Sequence, residues 1–476
     1  MTSNRHLCFA NRGIARRTWI VKTSAIAVLL ILLACWNTST TAAEAYLWKA
    51  ATSTVITPDD PVWMAGYSSR NRPSDEATQD LYAKVLAVED AAGSRLVIVT
   101  TDLVGITEPM RQAVQQQALD RFELPPAALL MNASHTHSGP EVRIDRLRLE
   151  EREGAWIERA EQYVRETTDR IVAAIGQALA KLEPARLSYT SARCGFAMNR
   201  RLVTDSGVRG RPNPDGPVDH SVPVLRVDSA DGEKLRAVVF GYAHNTVLGF
   251  YDLNGDYAGW AQHYLQEAHP DLTALLVIGC AGDQNPYPRR THELAQQHGR
   301  TLSNSVEAAL NAQSKSLDGP LRTALETTSL SFAKGPGRAE LHQQAESKSV
   351  ALQRHARRLL RHFDKGDGFI KEYAYPVHVA RFGDDLTLVG LAGETVVDDS
   401  LRLKLELAGP SVWVADYCNA LPTYIPSLRV LREGGYECGD HRRYTNFAAP
   451  FDESIERRII SKDHRLNEQL GGKRTD

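Results

Sequence analysis

ALLMNASHTHSGPEV, residues 128–142, runs an apolar segment, Ala128 to Met131, straight into Ser134, His135, Thr136, His137, Ser138 and Gly139. The apolar run reads as a buried strand, and Gly139-Pro140 as the turn that ends it. Histidines spaced H-x-H in extended chain point to the same face, so His135 and His137 can serve one centre. The question is what else reaches that centre.

Five further runs have the same character: RLVIVTTDL (95–103), LRAVVFGYA (235–243), LTALLVIGC (272–280), LTLVGLAGE (386–394) and SVWVADY (411–417). Each is short, rich in Val, Leu or Ile and apolar on both faces, which suits a sheet covered on both sides. Helical patterns lie between them, at 155–182, 258–268, 293–312, 338–363 and 395–408. YPVHVARFGDDLTLVGL, 375–391, reads as a hairpin, so the sheet is mixed. The expected fold is therefore α/β: a mixed, mostly buried β-sheet core layered with helices, its site at the carboxyl ends of the strands. The charged helix 338–363 reads as a solvated face, and TDSGVRGRPNPDGP, 204–217, as a long loop, either a lid or plain surface.

Those strand ends share a feature. Asp102 follows LVIVTT, His244 follows VVFGYA, Asp283 follows LLVIGCAG, Glu394 follows LVGLAG, and Asp416-Tyr417 follow VWV. Ligands of open α/β sheets bind just outside the strand carboxyl ends, and six ends behaving alike suggest one crevice. Taken singly, His244 reads as a hydrogen-bonded structural residue and Glu394 as a first-turn helix acid. Taken together, His135 or His137, His244 and Glu394 make a zinc set with a position left for water. Ser138-Gly139 exclude the Asp-His pair of a metallo-β-lactamase-type site. An amidohydrolase-type barrel stays open on this fragment alone.

The 476 residues are 42% hydrophobic and 24% charged with net charge −2, which promises a sizeable core and gives no basic patch for nucleic acid. Residues 1–24 carry five Lys or Arg and no acid; AIAVLLILLAC (25–35) and an Ala-rich exit follow. This reads as a signal peptide over residues 1–43, hence an exported protein with one domain over 44–476. An uncleaved anchor and a lipid-tethered form through LLAC (32–35) are the alternatives. Export permits disulfides among Cys194, Cys280, Cys418 and Cys438, with Cys418–Cys438 the first pairing to test.

Five segments resemble one family, the neutral/alkaline, non-lysosomal ceramidases: ITPDDPVWMAGY (56–67), NASHTHSGP (132–140), FGYAHNTV with NGDYAGWA (240–247 and 254–261), LAGETVVDDSLRLK (391–404) and TYIPSLRVLREGGYE (423–437). The first is similar to that family's N-terminal strand, and the second to its most specific signature. The resemblance implies zinc held by His135, His244, Glu394 and Tyr424, with His137 and Tyr436 as groups facing the scissile bond. Arg200, in AMNRR, resembles the family's active-site arginine. It also implies hydrolysis of an amide in a small-molecule or lipid N-acyl substrate by metal-activated water, with peripheral membrane contact left open. Tyr424 as an ordinary pocket tyrosine remains the plain alternative to a ligand. Two departures bear on substrate. Asn285 stands where the family has a serine, and an amide cannot do hydroxyl chemistry. The family's C-terminal immunoglobulin-like domain has no counterpart before Asp476. Ceramide itself is therefore not the expected substrate. Hydrolysis of an ester or peptide, or a catalytically silent lipid- or glycan-binding relative, are the competing readings.

Overall fold

The computed structural model describes residues 48–475 apart from 367 and 410, so the proposed signal peptide lies outside the described residues. Its framework is three mixed sheets with helices packed over them. The first runs Trp48–Val55, Tyr82–Glu89, Arg95–Thr101 and Leu129–Ala133; the last two strands are parallel. A second, five-stranded sheet has Thr273–Ile278 at one edge, parallel to Leu235–Tyr242. In the third, Leu321–Ser331, Glu372–Phe382 and Leu386–Leu391 run antiparallel and Val412–Ala415 joins parallel. The expected 375–391 hairpin is present, turning between Phe382 and Leu386 with Gly383 at φ +56.

The apolar pattern places the core. Val97, Val99, Leu129 and Met131 share one fully buried cluster with Val172 and Ile175 of the helix Gly154–Ala180. The opposite face of the same strands, Ile98 and Leu130, packs against Leu388 and Trp413 of the third sheet. Strands buried on both faces are what their unbroken apolar runs require.

Side chains lace the strand ends together. Asn132 Oδ1 accepts from the Ile278 amide at 3.1 Å, and its Nδ2 donates to the Asp416 carbonyl at 2.6 Å. Asn419 Oδ1 accepts from the Met131 amide at 3.1 Å. Three sheets thus end at one place, as the six polar strand ends led us to expect.

Several expectations need correction. Residues 204–217 are not a free loop: Gly207–Asn213 is a strand paired with Ala197–Thr204, because Asp205-Ser206 close a tight turn ahead of Gly207 at φ +100. The 338–363 helix is two, Arg338–Ala345 and Val350–Lys365, the second capped by Ser349 Oγ on the Leu352 amide. ITPDDPVWMAGY is irregular rather than a strand, apart from a bridge from Met64 to Pro140. All four described cysteines are free thiols, Cys418 beside Asn132 and Cys438 beside the Leu431 carbonyl, so the Cys418–Cys438 pairing is not formed. No helix among the described residues is long and apolar enough to cross a membrane.

Candidate metal centre

Two residues past the end of the strand Leu129–Ala133, His135 takes the left-handed conformation at φ +58. Such backbone is uncommon for a residue with a Cβ and gathers at functional sites. His135 Nδ1 donates to the Val104 carbonyl at 2.7 Å, so Nε2 keeps the lone pair. Around that nitrogen lie Glu394 Oε2 at 3.4 Å and His137 Nε2 at 3.0 Å. His137 Nε2 is therefore the donor of the imidazole pair, and its buried Nδ1 has no partner. Tyr417 packs on His135 with ring centroids 4.6 Å apart, and Tyr67 meets the edge of His137 at 4.7 Å.

Glu394 and Tyr424 arrive together. Glu394–Thr395 and Tyr424–Ile425 form a short parallel pairing in which Glu394 lies opposite Tyr424. Two buried carboxylates fix it. Asp416 accepts from the Thr395 amide at 2.7 Å and hydroxyl at 2.8 Å; Asp283 accepts from the Val397 amide at 2.9 Å. Asp416 and Asp283, read as polar strand ends, thus support the site rather than face it.

Arg200 reaches the Tyr424 hydroxyl with Nη2 at 3.2 Å. Its Nε and the neighbouring Arg201 Nη1 grip the two oxygens of Glu437, at 2.9 and 2.6 Å. Burial would lower the Arg200 pKa, but Tyr424, Glu437 and Glu394 outweigh it and the guanidinium stays charged. Asn285, on a strand paired with Ala197–Asn199, sits 3.5 Å from Arg200 Nη1, at the limit of a hydrogen bond. Tyr436 stands over Tyr424 and is 43% exposed. Its phenol is pushed up to about 12 by the surrounding protein and the Glu394 charge.

His244 stands apart. It is fully buried against Tyr257, Phe196 and Tyr242, its Nδ1 engaged by the Asn245 carbonyl and its Nε2 without a partner. The loop behind it hangs on Asp256, whose carboxylate accepts from the Val247, Leu248 and Tyr257 amides. Among the contacts of the described residues none joins His244 to His135, Glu394 or Tyr424. Among the described residues no three His, Cys, Asp or Glu side chains converge on one point.

The donors nevertheless suit a metal ion. Glu394 Oε2 and His244 Nε2 are buried polar atoms without hydrogen-bond partners, an arrangement native proteins rarely leave unexplained. The 3.4 Å from His135 Nε2 to Glu394 Oε2 is about the separation of two donors bound some 2.1 Å from one tetrahedral ion. Burial holds both His135 and His244 in the neutral, ligating form. His135, with its other nitrogen anchored on a carbonyl, has the orienting partner that metal-binding histidines carry.

His135, His137, Glu394, Tyr424 and Tyr436 line one cavity of about 680 Å³, whose apolar wall includes Val104, Val142, Ile144, Ile370, Leu421 and Phe447. The reading of the sequence missed His441, which lines the same cavity and touches Tyr424 and Tyr436. It also missed Glu437. Both sit in the irregular stretch after the second tyrosine, where no periodicity marks them.

Residues 52–275 match the family described as neutral/alkaline non-lysosomal ceramidase, N-terminal. The neutral ceramidase of Pseudomonas aeruginosa is 28% identical over 228 residues, 43% of this chain, which spans 31% of that protein's length. A solved ceramidase complexed with C2 superposes with a TM-score of 0.69 at 18% identity, over 91% of this chain and 76% of the other. The crystal structure of neutral ceramidase from Pseudomonas aeruginosa gives 0.68 at 19%, over 90% and 74%. The matched segment holds His135, His137, Arg200 and His244. Glu394, Tyr424 and Tyr436 lie beyond it, where the ceramidase likeness is one of fold.

Proposed function

We propose that this chain is an exported zinc hydrolase that cleaves the amide bond of an N-acyl compound, with a lipid N-acyl chain seated in the apolar wall of the main cavity. The observation that carries the reading is that His135 Nε2 lies 3.4 Å from Glu394 Oε2, with Tyr424 opposite Glu394 in the backbone pairing and all three residues lining that cavity. His135, Glu394 and Tyr424 would hold the ion, and His244 would join them through its unpartnered Nε2, which touches none of the three in this arrangement. When bound, it polarises a carbonyl and lowers the pKa of water toward neutrality.

The remaining chemistry belongs to side chains. Arg200, charged and fixed by Glu437, faces negative charge growing on the carbonyl oxygen. His137 is neutral because burial and His135 hold its pKa well down, and its Nε2–H, the edge that faces His135 and the cavity, is the group that would serve the leaving amine. Tyr436, protonated at neutral pH, can donate to the substrate at the cavity mouth. Asn285 offers an amide to the same region and no hydroxyl. Support for export is the basic, then apolar, leader.

The test is a panel of fluorogenic N-acyl amides and matching esters with the full chain, before and after chelation and zinc return. Amide turnover that chelation stops and zinc restores is the expected result. No turnover of any amide by the zinc-loaded protein would end the reading.

A further inference from the structure

A second cavity, of about 220 Å³, adjoins the main one, and the two share Arg146, Leu149 and Tyr444 in their walls. Arg152, Arg354 and Arg443 also line it, and Glu150 is the one acid among its lining residues. Four guanidinium groups therefore face one carboxylate. That carboxylate is already engaged: Glu150 Oε1 accepts from Arg146 Nε at 2.6 Å and Oε2 from Arg152 Nη2 at 2.9 Å.

The other neutralising groups are weak or turned away. Arg354 pairs with Glu151 at 3.1 Å where both side chains are exposed, an arrangement that contributes little in water. Arg443 Nε donates to the Asp440 backbone carbonyl at 2.6 Å, and its Nη2 is 3.6 Å from the Asp440 carboxylate. Among the described residues nothing partners Arg146 Nη2, Arg152 Nη1 or Arg443 Nη1. Arg358, whose Nη2 donates to the Thr445 carbonyl at 2.6 Å, has a buried Nε without a partner. Its pKa is pushed down to about 10 by burial and by Arg361, against an opposing pull from Glu151 and with a smaller push from Arg146. The region carries more positive charge than its carboxylates neutralise.

Two of the four arginines are also held in place. Arg146 stacks over Tyr444 at 4.6 Å and Arg152 over Trp63 at 4.0 Å, and Arg152 Nη2 bonds the Arg70 carbonyl at 3.2 Å. Fixed guanidinium forks with unused N–H groups suit a multidentate anion. One fork satisfies a carboxylate, whereas several forks from different directions suit a group with three terminal oxygens. The volume admits such a group with some of its water, given that a water takes about 30 Å³.

We propose that this arginine-lined cavity is a binding subsite for a tetrahedral, phosphate- or sulfate-type anion, one wall away from the main cavity. If the main cavity is that of an N-acyl amide hydrolase, the reading on which this part rests, a substrate with such a group on its head can bridge the two. A free ion can instead occupy the subsite alone.

Titration calorimetry of inorganic sulfate and phosphate into the full chain tests the subsite without needing turnover. The wild type binds either ion, more weakly as chloride rises, and the R354Q/R443Q double variant binds about tenfold more weakly or not at all. Circular dichroism checks that the variant is folded, and R354Q alone, at an exposed position, serves if it is not. A matched pair of N-acyl amides, with and without a head-group sulfate, separates the sources. A wild-type preference for the sulfated amide that the variant loses puts the anion on the substrate; sulfate binding with no preference assigns a free ion. Absence of binding, or equal binding by wild type and variant, overturns the proposal. If neither amide is hydrolysed, the hydrolase reading fails while the calorimetric result still decides the subsite.

Discussion

Glu394 and Tyr424, thirty positions apart in sequence, lie opposite each other in a two-residue parallel pairing, with Thr395 opposite Ile425. The backbone register itself brings a carboxylate and a phenol to one side of the cavity. Asp416, accepting from both the amide and the hydroxyl of Thr395, is the anchor of that register.

Asp416→Ala should therefore act through Glu394. The pairing loosens, metal affinity falls by about 10- to 100-fold, as for other residues that orient ligands, and turnover falls with it. Titrating zinc against a competing chelator measures this. An unchanged affinity would show that Asp416 serves only the fold.

Gly66 has a similarly specific role. It adopts φ +94, and a Cβ built there would lie 2.2 Å from His137 Cγ. Gly66→Ala should displace the His137 ring, reduce kcat more than KM and cost about 1–3 kcal/mol of stability through strain and overpacking. Steady-state kinetics beside denaturant melts would reveal it, and wild-type kcat in the variant would refute the contact.

Glu437 holds Arg200 and Arg201 together. Glu437→Gln leaves two buried guanidinium groups short of their counter-charge, and breaking such a pair costs roughly 3–5 kcal/mol. The expected signature is a lower Tm together with reduced turnover, since Arg200 then loses the counter-charge that fixes its Nε and keeps only its weaker contacts to Tyr424 and Asn285. Loss of stability with full activity would remove Arg200 from the site.

Acid sensitivity should come partly from buried neutral histidines. His378 Nε2 donates to the Ala127 carbonyl at 2.9 Å, and burial lowers its pKa from 6.5 to about 4. Between those values the unfolded chain takes up a proton that the folded one refuses. The contribution is thus complete above pH 6.5 and is lost as pH falls toward 4, roughly 3 kcal/mol in all. His378→Gln should flatten the fall of Tm over that window. An unchanged slope would mean that His378 does not titrate there.

Much of this was legible in the sequence where physics is local. Runs apolar on both faces gave strands within a few residues of those found; the H-x-H rings approach Nε2 to Nε2, but through a left-handed turn at His135 rather than in extended chain. What stayed hidden depends on long-range pairing. Gly207–Asn213 looks like a loop because its Gly and Pro suppress strand propensity, yet pairing with Ala197–Thr204 overrides this. The helix Glu108–Phe122 escaped because its polar residues spread round it, leaving little apolar periodicity. His441 and Glu437 lie in a stretch with no regular spacing, so only tertiary packing reveals that they face Tyr424 and Arg200.

The most direct test of the proposed metal centre is the zinc content of the purified full chain beside His137→Ala, His244→Ala and Glu394→Gln. The account predicts stoichiometric zinc in the wild type and in His137→Ala, and its loss from His244→Ala and Glu394→Gln. Zinc retained in full by Glu394→Gln, or lost equally from His137→Ala and His244→Ala, would contradict it.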